Sequence, residues 1–194
     1  MKTKTLISIL LLCAASLGGL AQKVALKTNL LYDATATINL GAELSLAPQW
    51  TLDVSGDFNA WSKTDRKVWK HWFIQPEARY WLCDKFQGSF FAAHAITGQF
   101  NMGRINNSVK ILGADFGRLS DFRYQGWMMG AGIAYGYALP IGRHFNIEGE
   151  IGIGVIHTKY DKFKCAGCGK KLESGKSETF LSPTKAAINI VYLF

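Results

Sequence analysis

The sequence lacks two features that would assign it quickly to a common class. No stretch after residue 21 contains the ~20 consecutive apolar residues of a membrane-spanning helix. No nucleophile, base and acid occur at a spacing that indicates a catalytic reaction. Instead the chain is 48% hydrophobic and 13% aromatic and contains 20 glycines. This combination is typical of a membrane β-barrel, in which the apolar residues alternate with polar ones along each strand.

The N-terminus has the pattern of a cleavable secretory signal. Lys2 and Lys4 give a positively charged start, residues 6–12 are apolar except for Ser8, and small residues follow up to position 21. The apolar run is shorter than the ~17 residues that a membrane helix requires. We therefore predict a signal peptide over residues 1–21 and a mature protein of one domain over residues 22–194.

An alternative interpretation is a lipoprotein acylated at Cys13. Leu12 stands directly before that cysteine, where a small residue is expected, and this favours the signal peptide. Removing residues 1–21 takes away Lys2 and Lys4 and lowers the formal net charge from +8 to +6.

Alternation of apolar and polar residues is the main evidence for the fold, because successive side chains of a strand point to opposite faces. In residues 50–60 every even position is apolar or glycine, and every odd position is polar. Eight segments are strand-like, although residues 88–102 show no clear inward face. The segments are 24–30, 39–46, 50–60, 72–82, 88–102, 126–137, 145–155 and 185–194.

These segments predict an all-β fold, an eight-stranded antiparallel up-and-down transmembrane β-barrel of the outer-membrane type. Such barrels have short periplasmic turns and longer external loops. The predicted short turns are residues 47–49, 82–87 and 139–144, and the predicted long loops are residues 61–70, 103–123 and 159–182. Aromatic residues near strand ends are predicted to form the interfacial girdles. They are Trp50, Trp61, Trp69, Trp81, Tyr124, Tyr160 and Tyr192.

The last predicted strand ends on an aromatic residue, with apolar residues at every second position before it. Ile190, Tyr192 and Phe194 resemble the terminal signal that the bacterial barrel-assembly machinery recognises. Together with the signal peptide, this predicts an integral protein of the bacterial outer membrane.

The residues also resemble a known family. Residues 25–61 read ALKTNLLYDATATINLGAELSLAPQWTLDVSGDFNAW. This stretch, with residues 75–81 and 90–94, resembles a Bacteroidota family catalogued as domain of unknown function 3575 (DUF3575). The resemblance implies an outer-membrane-type barrel of unassigned biochemistry. It also implies that some relatives are encoded near fimbrial assembly proteins.

Charged residues on the predicted inward face are expected to pair with one another in a filled lumen. This polar network consists of Lys27, Glu43, Asp53, Asp57, Glu77, Arg79, Glu148 and Glu150. A paired-carboxylate enzyme is the alternative, but a packed lumen has no space for a substrate. No cofactor is indicated.

Cys165 and Cys168 form the most specific local motif, CAGC, within a predicted external loop. In an exported protein this spacing favours a local disulfide. A zinc site is the alternative, but a structural zinc normally has four ligands and no second CxxC is present.

Four histidines are the remaining candidates for chemistry. A hydrolase at the external rim could use His71 or His157 with Ser62 or Ser182, but no spacing supports the grouping. We therefore predict a structural or interaction protein without a solute-sized pore and without enzymatic activity. The alternatives are an enzyme or narrow conduit at the outer leaflet, and a soluble periplasmic lipocalin-like barrel, which would turn its polar residues outward.

The predicted external loops are basic. Residues 159–181 contain six lysines against Asp161, Glu173 and Glu178. Besides outer-membrane lipid, the candidate partners are lipopolysaccharide phosphates, acidic glycans and a fimbrial protein. Nucleic acid is not expected as a partner of a surface loop.

The cysteine motif gives a first prediction. Mass spectrometry of the non-reduced mature protein should show a Cys165–Cys168 link and a free Cys83, because Cys83 is expected at the opposite end of the barrel. One equivalent of bound zinc, or an intrachain link to Cys83, would contradict it.

Overall fold

The computed structural model describes residues 24–63, 67–103, 110–111, 114–115, 122–164 and 169–194. These residues form an all-β structure with one short helix. The helix is α1 (Leu30–Ala34). The strands are β1 (Val24–Asn29), β2 (Ile38–Ala47), β3 (Trp50–Asn59), β4 (Ser62–Lys63), β5 (Lys67–Trp81), β6 (Gly88–Gly103), β7 (Lys110–Ile111), β8 (Ala114–Asp115), β9 (Arg123–Pro140), β10 (Phe145–Phe163) and β11 (Lys171–Leu193). The predicted signal peptide lies outside the described residues.

Eight of the strands form one ring-like antiparallel sheet. In chain order β1, β2, β3, β5, β6, β9, β10 and β11 each pair with the next. The last of them, β11, pairs with β1 from Ala25↔Leu193 to Asn29↔Asn189. This confirms the prediction of eight antiparallel strands, each beside its neighbour in sequence.

Most side chains that point into the ring are polar, and most that point outward are apolar. Glu43 and Arg79 are 0% exposed, whereas Ile133 is 67% and Ile151 is 69% exposed. This arrangement is the reverse of the soluble lipocalin-like alternative, which required polar residues outside. In β6 the structure supplies the facing that the sequence left open, since Phe90 and His94 are buried while Phe91 is exposed.

An apolar cluster fills the interior near the short turns, and Trp81 lies at its centre. The Trp81 ring packs 4.6 Å from the Phe90 ring and 6.1 Å from the Phe86 ring, measured between centroids. Its Nε1 donates to Thr51 Oγ1 at 2.9 Å. The prediction that Trp81 belongs to an outer aromatic girdle is therefore wrong. Trp81 is at an odd position of β5, and the odd positions from His71 to Trp81 are all buried.

The short turns lie where they were predicted, between β2 and β3, β5 and β6, and β9 and β10.

The prediction of a long loop over residues 159–182 is wrong in its extent. Strand pairing between β10 and β11 continues from His157↔Thr179 to Phe163↔Lys171. We call residues 157–163 and 171–180 the extension. Cross-strand ion pairs among its charged residues allow a polar sequence to remain in strand form.

Glycine makes room for the apolar cluster on β9, the strand beside β6, where Gly136 is paired with Phe90. A Cβ added to Gly136 of β9 would lie 2.2 Å from Phe90 Cζ. By contrast, a Cβ added to Gly149 of β10 would meet no atom within 4 Å.

We predict that Gly136→Ala lowers the stability of the folded protein by about 1–3 kcal/mol, because the added methyl overpacks the interior. Gly149→Ala is the matched control and should change stability little. Urea unfolding followed by tryptophan fluorescence would measure both variants in detergent. Equal midpoints for the two variants would show that the interior is looser than described.

Candidate functional site

All eight residues of the predicted polar network are buried inside the ring, each 6% exposed or less. They come from β1, β2, β3, β5 and β10, on strands that are distant in the chain. Their burial follows from the period of two, because each occupies the inward face of its strand.

Arg79 of β5 is the centre of the network. Its Nη1 donates to Glu43 Oε2 and to Glu148 Oε2, each at 2.9 Å. Its Nη2 donates to Glu150 Oε2 at 2.8 Å, and its Nε donates to Glu77 Oε1 at 2.6 Å. The planar fork of a guanidinium can serve several carboxylates at once, which a lysine ammonium in this place could not do in the same geometry.

Two lysines join Arg79 in neutralising the carboxylates. Lys27 Nζ lies 2.5 Å from Glu43 Oε2 and 3.2 Å from Asp53 Oδ1. Lys185 Nζ lies 3.3 Å from Glu77 Oε2. Sequence reasoning did not include Lys185 in the network. Its inward position in the alternation of the last strand was the signal that could have identified it.

Asp57 is the predicted member that stands apart. Asn39 Nδ2 donates to Asp57 Oδ1, one layer closer to the long connections. The ion pairs recorded for Arg79, Lys27 and Lys185 involve the other five carboxylates. The cluster therefore holds five carboxylates against three cations.

The interior leaves little free space beside these charges. A cavity of about 20 Å³ borders Lys27, Asp53 and Gln75, which is room for about one water molecule. Both carboxylate oxygens of Asp53 are buried without a hydrogen bond in the described structure, so a water in this cavity would have a polar partner. The chemistry that this arrangement supports is mutual charge compensation.

The residues considered for a hydrolase at the external rim lie in different places. His71 and Ser182 are 5% and 4% exposed and face the interior, so neither shares the outer face of the ring with His157. The side chain of Ser62 lies outside the described residues. His157 does lie on the outer surface, where it contacts Ser177 and Thr179, two residues that sequence reasoning did not single out.

Asp161 organises the charged end of the extension. Lys171 Nζ donates to Asp161 Oδ2 at 2.6 Å, and the Gly175 amide donates to Oδ1 at 2.8 Å. The hydrogen bond from Lys171, together with that from Gly175, lowers the pKa of Asp161 to about 2. Asp161 thus stays ionised under most conditions.

Cys165 and Cys168 lie outside the described residues, so the disulfide and the zinc alternative stay predictions. Cys83 is free and exposed.

The residues of the predicted assembly signal share the outer face of the last strand. Ile190, Tyr192 and Phe194 are each between 37% and 41% exposed. The Tyr192 ring lies 5.1 Å from the Phe145 ring and 5.0 Å from the Phe194 ring. The structure therefore places an aromatic patch at the edge where the strand ends.

The sequence matches a known protein family. The model of a family described as "Protein of unknown function (DUF3575)" matches residues 7–194. The chain belongs to the DUF3575 family. No curated protein and no solved structure matches this DUF3575 chain. Within the described ranges, none of its helices has the length and apolar character to cross a membrane. In the same ranges no group of three or more His, Cys, Asp or Glu could hold a metal ion.

The network gives a test of its own. Arg79→Met should destabilise the folded protein by about 3–5 kcal/mol, because it leaves buried carboxylates without their cation. Arg79→Lys should lose less, since it keeps the charge but not the fork. The unfolding midpoint in urea would measure both.

Lys162→Met is the matched control for Arg79→Met. Lys162 pairs with Glu173 in the extension at 3.5 Å, where the glutamate is 43% exposed, so its loss should leave the midpoint unchanged. A stable Arg79→Met variant would show that the interior charges are not a structural network.

Proposed function

We propose that this protein is a small integral outer-membrane β-barrel with a structural or interaction role. It spans the bilayer with its short turns in the periplasm and passes no solute through its interior. It braces the membrane and presents its longer connections at the cell surface. The inverted burial carries the proposal, since ionic side chains are enclosed while apolar side chains cover the outside.

The height of the apolar surface supports a membrane location. Outward positions of β10 are apolar or glycine from Phe145 to Val155. A tilted strand crosses the hydrocarbon core in ~9–11 residues, which this stretch matches. In water the same surface would be a large apolar patch of the kind that causes association.

The packed interior supports the absence of a solute-sized pore. Arg79 and its carboxylates occupy the middle of the ring, and Trp81 with Phe90 blocks the end near the short turns. An eight-stranded barrel has an interior just wide enough for side chains to fill. A passage for solutes would require these groups to move apart.

The charge of the extension supports an interaction with anionic groups at the surface. Three of its lysines contact acidic residues within it: Lys162 with Glu173, Lys171 with Asp161, and Lys176 with Glu178. The six lysines of residues 159–181 exceed the acidic residues by three. This surplus is suited to lipopolysaccharide phosphates or acidic glycans, and a fimbrial protein is the second candidate partner.

Membrane embedding can be tested on the expressed full chain. The protein should fractionate with the outer membrane, resist carbonate extraction, and migrate faster on a gel unboiled than boiled. Val54→Arg, at the middle of the outer face of β3, should cost about 2–4 kcal/mol of folding free energy in vesicles.

Leu46→Arg is the matched control for Val54→Arg. Leu46 is also outward, at 66% exposure, but it lies beside a short turn, where an arginine near the interface costs about 0–1 kcal/mol. Recovery of the protein in the soluble periplasm, or equal costs for the two variants, would count against the membrane location.

A further inference from the structure

Three polar side chains meet on the outer face of the extension. His157 belongs to β10, while Ser177 and Thr179 belong to β11. Strand register sets Thr179 opposite His157 and Ser177 opposite Lys159. Because outward positions recur every second residue, the two hydroxyls flank the imidazole on the same face.

The hydrogen bonds order these groups into a chain. The Ser177 Oγ lies 3.0 Å from His157 Nε2, and the Thr179 Oγ1 lies 2.7 Å from His157 Nδ1. With Nδ1–H donating to Thr179, Nε2 is the nitrogen that accepts from the Ser177 hydroxyl. A hydroxyl, a base within hydrogen-bond reach, and a third group that orients the base are the elements of an activated serine nucleophile.

Ser177, His157 and Thr179 lie where the outer surface changes from apolar to charged. Toward the short turns, the next outward residues are Val155 and Leu181, which are 50% and 46% exposed. Toward the tip, the next on β10 are Lys159 and Asp161. The Trp127 ring lies 6.0 Å from the His157 ring, and tryptophan is enriched at the boundary of membrane and water.

We propose that Ser177 and His157 form a hydrolase site for acyl esters of membrane lipids. A lipid at this boundary would lay its acyl chain along Val155 and Leu181 and bring its ester group level with Ser177. Thr179 acts as a positioning residue, because it holds the imidazole in the required orientation. The proposal rests on the membrane location proposed above and adds an activity to it, contrary to the sequence-based expectation of no enzyme.

The reaction needs only water as co-reactant. Ser177 Oγ attacks the ester carbonyl carbon while its proton passes to His157 Nε2. His157 then returns that proton to the alcohol oxygen as the carbon–oxygen bond breaks, which leaves an acyl-serine. Water attacks the acyl carbon, giving its proton to His157, and the proton returns to Ser177 as the fatty acid leaves.

The experiment uses the full mature chain, refolded in detergent and in vesicles of diacyl phosphatidylethanolamine. Release of free fatty acid is measured by mass spectrometry, and covalent labelling by a fluorophosphonate is mapped to a residue. We expect release above the protein-free background and a label on Ser177. Both should be lost in Ser177→Ala and in His157→Ala.

Three further variants separate catalysis from structure. Thr179→Ser should keep the activity, whereas Thr179→Val should lose most of it, because only the hydroxyl orients the imidazole. Ser182→Ala is the matched control: this serine lies on the same strand, faces the interior at 4% exposure, and should leave release and labelling unchanged. Heat-modifiable migration shows that each variant is folded.

Folded wild-type protein that neither labels at Ser177 nor releases fatty acid would overturn the proposal, and the three residues would then be a polar surface cluster only. A label on Ser177 without release from vesicles would overturn the lipid substrate. Failure of the proposed membrane location would be seen in a different measurement. The protein would then not fractionate with the outer membrane, whether or not Ser177 is labelled.

Discussion

A guanidinium group with no exposed surface holds the interior of this protein together. A buried cation is tolerated only when its donors and its charge are matched, and Arg79 meets this condition with glutamates from β2, β5 and β10. Lys27 and Lys185 extend the same network to β1, β3 and β11. Six of the eight long strands are thus fixed relative to one another by ion pairs.

The two remaining strands accommodate this network by other means. Phe90 of β6 places its ring 4.5 Å from the Arg79 guanidinium carbon, a cation–π contact. On β9 the inward positions from Gly130 to Ala138 are glycine or alanine, and a Cβ at Gly132 would lie 2.8 Å from His94 Nε2. Large side chains on β6 set against small residues on the neighbouring β9 fill the narrow ring closely.

Enclosing the charges has a consequence for the outer surface. An interior filled largely by ionic and polar side chains leaves most of the apolar residues outside, so the outer surface is apolar over much of each strand. Such a surface is compatible with lipid and costly in water. The polar side chains of the outer surface lie mainly in the extension. There Asp161 accepts a hydrogen bond from Lys171, and His157 lies beside Ser177.

The sequence determined the number of strands, their direction and, for every strand except β6, which face turns inward, because these follow from local alternation and turn spacing. It could not place residues whose role depends on neighbours far away in the chain. Lys185 enters the network only when β11 lies beside β10. His157 and Ser177 are twenty residues apart and meet only because antiparallel pairing continues beyond the predicted loop boundary. Side-chain identity and period set the facing of each strand, whereas the register between strands, which no local pattern encodes, decided which side chains touch.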